Sequence, residues 1–407
     1  MVSPNRVMSD LAAHVERLVE IAVGPARAKD RELGAAVHAV MNAYDSSDVK
    51  GAKTALRLLD AGLLKAKDGR GQQILRLALG ALVEAGAPPE LAWPTAERGL
   101  IETLKVAGRF ADACLEAEDT PSIKEAVRMA GPGLAKKLPR EHAAWESLKS
   151  RALLAVACVS HSSKLRAQIQ KSRHDLLDAV TPLEEEIEAL LFLSHIMRVL
   201  PDQTMLAIHP GQRRGFRVEV KEVTTNLELF VLLADAIVGD PKKGLLEGRR
   251  PSAKAIAALK DPDHAPKKPP EVSLPWHLSS WTALRPDGTL PDPDDQRSKN
   301  WIWFEGVPLD IVPFKGERVL LFQKPIMPRT LEVEASFETL TPRVTLRSKL
   351  SGAEVDRLLV EMGKAAAKVE AKAAAKEAED RAKAKKAWEA ASARAARAGT
   401  RRGRAKA

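Results

Sequence analysis

NWIWFEGVPLDIVPFKGERVLLF, residues 300–322, concentrates aromatic side chains in a chain of which only 4% is aromatic. Trp301, Trp303, Phe304, Phe314 and Phe322 fall inside it, and with Trp276 and Trp281 upstream, four of the seven tryptophans lie between 276 and 303. In extended chain Trp301 and Trp303, two residues apart, share one face. Such a pair serves either as the core of a small sheet or as a platform for a base, a sugar or a proline. The core reading is preferred, because strands favour aromatic residues and no Arg or Lys interrupts WIWFEGVPLDIVPF. GERVLLFQK continues as a second strand-like run.

Working outward, GFRVEVKEV alternates Phe216, Val218, Val220 and Val223 with charged residues, the pattern of a half-buried strand. LELFVLLADAIVG, residues 227–239, is helical or a fully buried run. VTLRSKL near Val344 adds a further strand. Between them lies a Pro-rich, charged passage with turn signals at Pro286 to Gly288. Residues 201–350 are therefore expected to form a Trp-rich α+β domain with long Pro-rich loops.

Residues 1–200 have a different grammar. In GQQILRLALGALVEAG, residues 71–86, apolar side chains recur at steps of three and four until Gly86, Pro88 and Pro89 stop the run. DVKGAKTALRLLDAGLL is expected to close near Gly62. TPSIKEAVRMAGPGL reads as a helix capped at Thr120 and ended by Gly131 and Pro132. EEEIEALLFLSHIMRVLP is the most apolar helix of the set. No fixed period of a known repeat family emerges, so a helical bundle or irregular helical array is expected.

From residue 351 to 407 the chain is rich in Ala, Glu and Lys, a composition that forms helix without an apolar face beyond Met362. The segment after Gly399 is expected to be disordered. The fold class is thus α+β and multi-domain, ending in a basic helical tail. The formal net charge of +10 belongs almost wholly to that tail. Between 381 and 407, Arg381, Lys383, Lys385, Lys386, Arg394, Arg397, Arg401, Arg402, Arg404 and Lys406 face one acid, Glu389, a balance of +9 that leaves +1 for residues 1–380. These ten side chains are the candidate contacts to nucleic acid or to an acidic protein partner. The alternative is a solubilising, self-repelling end.

The sequence also excludes several chemistries. The longest apolar stretch, residues 152–159, is far short of a membrane span, and acidic residues from Asp10 to Glu20 interrupt any secretion signal. A cytoplasmic protein with no membrane role is expected, and the two cysteines, Cys114 and Cys158, read as buried hydrophobes. No P-loop, dinucleotide fingerprint, nucleophile elbow or zinc spacing of His and Cys is present, so no metal and no cofactor is expected. His195 reads as a core residue of its apolar helix.

The remaining candidates are carboxylates and arginines. Glu305 and Asp310 are the candidate catalytic groups; with Asp287, Asp292, Asp294 and Asp295 of the preceding loop they could assemble a metal or acid/base site, against the preferred reading of solvated turn acids. Glu305 sits among aromatics that would desolvate it and raise its pKa. Arg213 and Arg214 in HPGQRRGF, and the GRRPS run at 248–252, could meet an anion; an exposed turn explains them equally well.

The words LFVLLADAIVG, GRRPS, W-x-ALRPDGTLP and WIWFEGVPLDIVPFKGERVLLF, in that order, resemble an uncharacterised bacterial family labelled FrgA-like, associated with developmental phenotypes. The resemblance covers roughly residues 200–325, with a looser similarity around LALGALVEAGAPPELAW. It implies a bacterial source and carries no reaction, hence no catalytic residues, and the basic tail lies outside it. Three functions remain open: a non-enzymatic interaction protein acting through the tail, an enzyme with an interdomain site built from Glu305 or Asp310 and Arg213 or Arg214, and a scaffold binding proteins through the helical domain. Oligomeric state is not legible.

Overall fold

The structure, a computed structural model, describes residues 4–404 except 25–29, 119, 173, 262–267, 274, 293–299, 326–328, 336 and 338. It is a mixed α and β fold in which helix predominates. The N-terminal half holds α1 (Pro4–Val23), α2 (Asp30–Ala43), α3 (Val49–Lys65), α4 (Gly69–Glu84), α5 (Pro89–Glu97), α6 (Leu100–Ala117), α7 (Ile123–Leu134), α8 (Pro139–Ser160), α9 (Ser163–Ser172), α10 (His174–Val180) and α11 (Glu188–Met197).

Helix α8 is the hub, packed against α4, α5, α6 and α11. Its small residues Ala152, Ala155, Ala157 and Cys158 are buried, which lets neighbouring backbones approach closely. The longest apolar stretch of the sequence is therefore an interior helix, and no helix among the described residues is long and apolar enough to cross a membrane. Both cysteines are buried free thiols, and burial pushes Cys158 up to about 12.

Two helix boundaries differ from the sequence reading. α7 is capped by Ser122, whose hydroxyl accepts from the Glu125 amide, rather than by Thr120. It also runs through Pro132, because Gly131 and Pro132 lie in its last turn and packing against Phe110 holds the chain there. α3 likewise passes Gly62 to reach Lys65; that glycine is buried where a Cβ would stand 2.7 Å from Val19, so its role is close packing rather than termination.

The second core begins where the first ends, with Val199 in the helical core and Leu200 in the next. Here lie β1 (Gln203–His209), β2 (Arg214–Lys221), α12 (Asn226–Ile237), α13 (Ala253–Lys260), β3 (Glu271–Ser273), β4 (His277–Ser279), β5 (Pro313–Phe314), β6 (Glu317–Gln323), β7 (Thr330–Glu332), β8 (Arg343–Leu350) and α14 (Gly352–Arg404). The sheet order is β4-β6-β1-β2-β8, with β5 also on β6 and β3–β7 as a separate pair. Strands β1 and β6 are parallel; all other pairs are antiparallel.

Both faces of this sheet are covered at its central strands, β1 and β6. Met205, Ala207, Phe216, Val218 and Leu320 pack with α12 and α13, and Leu206, Ile208, Val319 and Leu321 pack with the base of α14. A strand buried on both faces reads as a continuous apolar run, which is what MLAI in β1 is.

The stretch 300–312 is not a strand, contrary to the sequence reading; a single bridge joins Trp301 to Ser279, and only Pro313–Phe314 pairs with β6. Its backbone caps α12 instead: the Phe304 carbonyl accepts from the Leu227 amide, the Gly306 carbonyl from the Asn226 amide, and the Trp303 carbonyl from Asn226 Nδ2 at 2.7 Å. Those contacts satisfy first-turn donors that a helix leaves open. They also fix which side chains turn inward. Ile302 and Phe304 enter the core, whereas Trp303 is 46% exposed and Trp301 half-buried. The core reading of this stretch holds for the residues beside the tryptophans, one position out of register with the expectation.

Candidate nucleic-acid interface

Helix α14 begins with a capping box. The Ser351 hydroxyl accepts from the Glu354 amide and the Glu354 carboxylate accepts from the Ser351 amide, satisfying two open donors. Its first four turns are part of the sheet's core through Val355, Leu359, Met362 and Ala366. The segment from residue 351 on is therefore an anchored base followed by a free arm, not a tail throughout.

The seat for that base is the RPDGTLP turn. Gly288, at φ +85°, lies so close to α14 that a Cβ would stand 2.7 Å from the Val360 amide nitrogen. On the helix, a Cβ at Gly363 would collide with the Arg285 carbonyl oxygen. Ion pairs Arg213–Asp356 and Lys315–Glu361 flank the seat. Gly363→Ala is accordingly expected to cost about 1–3 kcal/mol by overpacking, measured by urea unfolding. The control is Gly108→Ala in α6, where a Cβ meets nothing within 4 Å and replacement is expected to gain roughly 0.5–1 kcal/mol. Equal effects at the two positions would refute the seat.

Beyond Ala367 every described side chain of α14 is exposed. Alanine propensity and i,i+4 pairs, Glu377–Arg381 and Glu379–Lys383 each at 2.6 Å, sustain the helix without a core. The helix is described to Arg404; Lys406 lies outside the described residues. At 1.5 Å per residue the arm past Ala366 is ~57 Å long.

The helical period arranges its charges. At about 100° per residue, positions Lys368, Lys372 and Lys376, then Lys383 and Lys386, then Arg394, Arg397, Arg401 and Arg404 all fall within an arc of ~80°. Glu370 and Glu377 lie on the other side of the helix, Glu379 within the arc. Of the ten tail residues expected to bind, Arg381, Lys385 and Arg402 fall on other faces. Lys368, Lys372 and Lys376 were not singled out from the sequence, because a count of net charge is blind to position around the axis. Their spacing of four was the available signal.

The other candidates do not assemble. Glu305, side chain 61% exposed, is bound by Arg329, and that hydrogen bond holds its carboxyl below the usual range, opposite to the expected rise. Burial does push the carboxyl up, but with Trp303 turned outward that push is outweighed by the hydrogen bonds. Asp310 is exposed at the end of a 3-10 turn, Pro308–Asp310, near Arg318. Arg213, at φ +50°, closes the β1–β2 hairpin and pairs with Asp356, while Arg214 donates to the Pro241 carbonyl. The turn reading of HPGQRRGF thus accounts for both. Asp287 is held low by the Thr289 hydroxyl and amide; Asp294 and Asp295 lie outside the described residues.

The tryptophan pair has ring centroids 5.1 Å apart, and His277 stands against Trp301 at 4.6 Å. Burial and the Arg329 charge push His277 below its ordinary pKa. An open groove of about 780 Å³ lies where β1 and β6 end, between His209, the 287–292 turn and Val360, but neither Glu305 nor Asp310 lines it. Hydrogen bonds hold Asp45, Asp287, Glu305 and Glu354 below the usual carboxylate range, and among the described residues no group of three or more potential metal ligands is found. No protein-family model, curated protein or solved structure matches this chain.

Proposed function

We propose that the chain is a nucleic-acid-binding protein in which a folded, near-neutral body carries α14 as a cationic arm. The observation that supports this reading is the arm itself: a helix fixed at its base by a packed core and two ion pairs, with the +9 balance of residues 381–407 concentrated on its outer half. Phosphate contact by Lys and Arg is sequence-independent and driven by release of counterions. The FrgA-like resemblance concerns residues 200–325, so it neither adds to nor subtracts from this reading.

The test is fluorescence anisotropy of a labelled duplex against the full chain and a chain ending at residue 380. The described residues removed are exposed, so the body keeps its core. If about five phosphates are neutralised, affinity should fall roughly 500-fold between about 50 and 200 mM salt. The shortened chain should bind far more weakly and with a shallower slope. Binding that is insensitive to salt, or unchanged by the truncation, would remove the arm from the function; capture of an acidic polypeptide but not nucleic acid would redirect it to a protein partner.

A further inference from the structure

Resting on that reading, we infer that the arm's partner is double-stranded nucleic acid, lying lengthwise along the one face of α14 that runs from Lys368 to Arg404. The reasoning starts from rigidity. A flexible polyanion wraps, so it reaches cations wherever they sit around a helix. A duplex is a stiff rod that presents phosphates to one side of another rod, so only cations sharing an azimuth can contact it together. Segregation of the basic positions onto an arc of ~80° has a binding consequence only for a stiff partner.

Length points the same way. The stripe extends ~54 Å, well beyond the ~30 Å diameter of a small protein domain. Laid along a duplex it spans about one and a half turns of ~34 Å and crosses the phosphate ridges of both strands about three times. Alanines occupy the positions between, as at 375, 390 and 393, and let the backbone approach closely. Single-strand binding, by contrast, relies on aromatic stacking platforms. The one aromatic residue of the arm, Trp388, sits on the opposite side of the helix from the stripe.

Orientation at the base permits the contact. The buried residues Val355, Leu359, Met362 and Ala366 define the side facing the sheet, and the stripe lies roughly 110° around the helix from them. Lys368, Lys372, Lys376, Lys383 and Lys386 are all exposed. The body therefore does not cover the face the duplex would use.

The experiment changes phase without changing charge. Two alanines inserted between Ala390 and Ala391 rotate the distal third of the stripe by about 200°, and seven rotate it by about −20°, restoring the line. Both keep net charge and helix propensity, checked by circular dichroism, in the full chain. The expected result for a 40-base-pair duplex is at least about tenfold weaker binding with two alanines and within about twofold of the parent with seven, with a smaller salt slope in the first case. A single strand of the same length should bind more weakly than the duplex and ignore phase.

Equal duplex affinity for all three chains would overturn the stripe while leaving a cationic arm. Tighter single-strand than duplex binding would overturn it too, as would phase-dependent binding of poly-glutamate in place of the duplex. Loss of nucleic-acid binding by every chain, the parent included, would instead overturn the reading on which it rests.

Discussion

Phe304→Ala is expected to cost about 3–5 kcal/mol, while Trp303→Ala, one residue earlier, costs under about 1 kcal/mol. Phe304 is 5% exposed and meets Phe230 of α12 edge to face, with ring centroids 5.4 Å apart. The Arg329 guanidinium lies over the same ring at 5.4 Å. Truncation removes that aromatic contact and leaves a cavity between α12 and the 300–312 segment, whose backbone also closes the first turn of α12. Trp303, 46% exposed, loses its ring contact with half-buried Trp301 when truncated but leaves no cavity in the core. Urea unfolding followed by far-ultraviolet circular dichroism measures both; a Trp303→Ala loss as large as that of Phe304→Ala would mean the indole pair, not the residues beside it, holds the second core.

That contrast shows why the aromatic stretch was only partly legible. Its apolar content announces a core, but which side chains turn inward depends on three hydrogen bonds to α12, whose residues are some 75 positions earlier in the chain. Alternation assigns sides only in regular extended chain, and this segment is a capping loop. Strand β2 was readable because one of its faces is polar, with Arg217, Glu219 and Lys221 between Phe216, Val218 and Val220. Strand β1 was not, since α12 and α14 bury both sides of it and erase the period of two. Partners such as Glu305 and Arg329, or Arg213 and Asp356, are equally invisible in one dimension, and they place Glu305 and Arg213 in surface ion pairs. The arm was legible in composition and illegible in azimuth. Its helix looked like an appendage because its seat, the RPDGTLP turn, sits about 70 residues before it.

The junction between the two cores supplies the other large effect. Arg166 on α9 is 1% exposed and donates to the carbonyls of Val159 and Ser160. Its second terminal nitrogen stands 3.5 Å from Glu222, which follows β2 and also accepts from the Thr341 amide at 3.1 Å. Burial pulls the guanidinium below its ordinary pKa, and Glu222 and Asp202 act against that pull. Two carbonyls solvate a buried cation but do not neutralise it, so Glu222 is the group that makes its burial tolerable. Glu222→Gln keeps the shape, the φ of +54° and an acceptor for Thr341 while deleting the charge. It is expected to cost about 2–4 kcal/mol, below the range for a fully buried partner because the Glu222 side chain is a third exposed. In an Arg166→Met background, where no buried cation remains to be abandoned, the same substitution should cost under about 1 kcal/mol. Urea unfolding of the four chains in that cycle gives the coupling directly. Equal costs in the two backgrounds would show that Glu222 serves only the Thr341 turn and not the buried Arg166 cation.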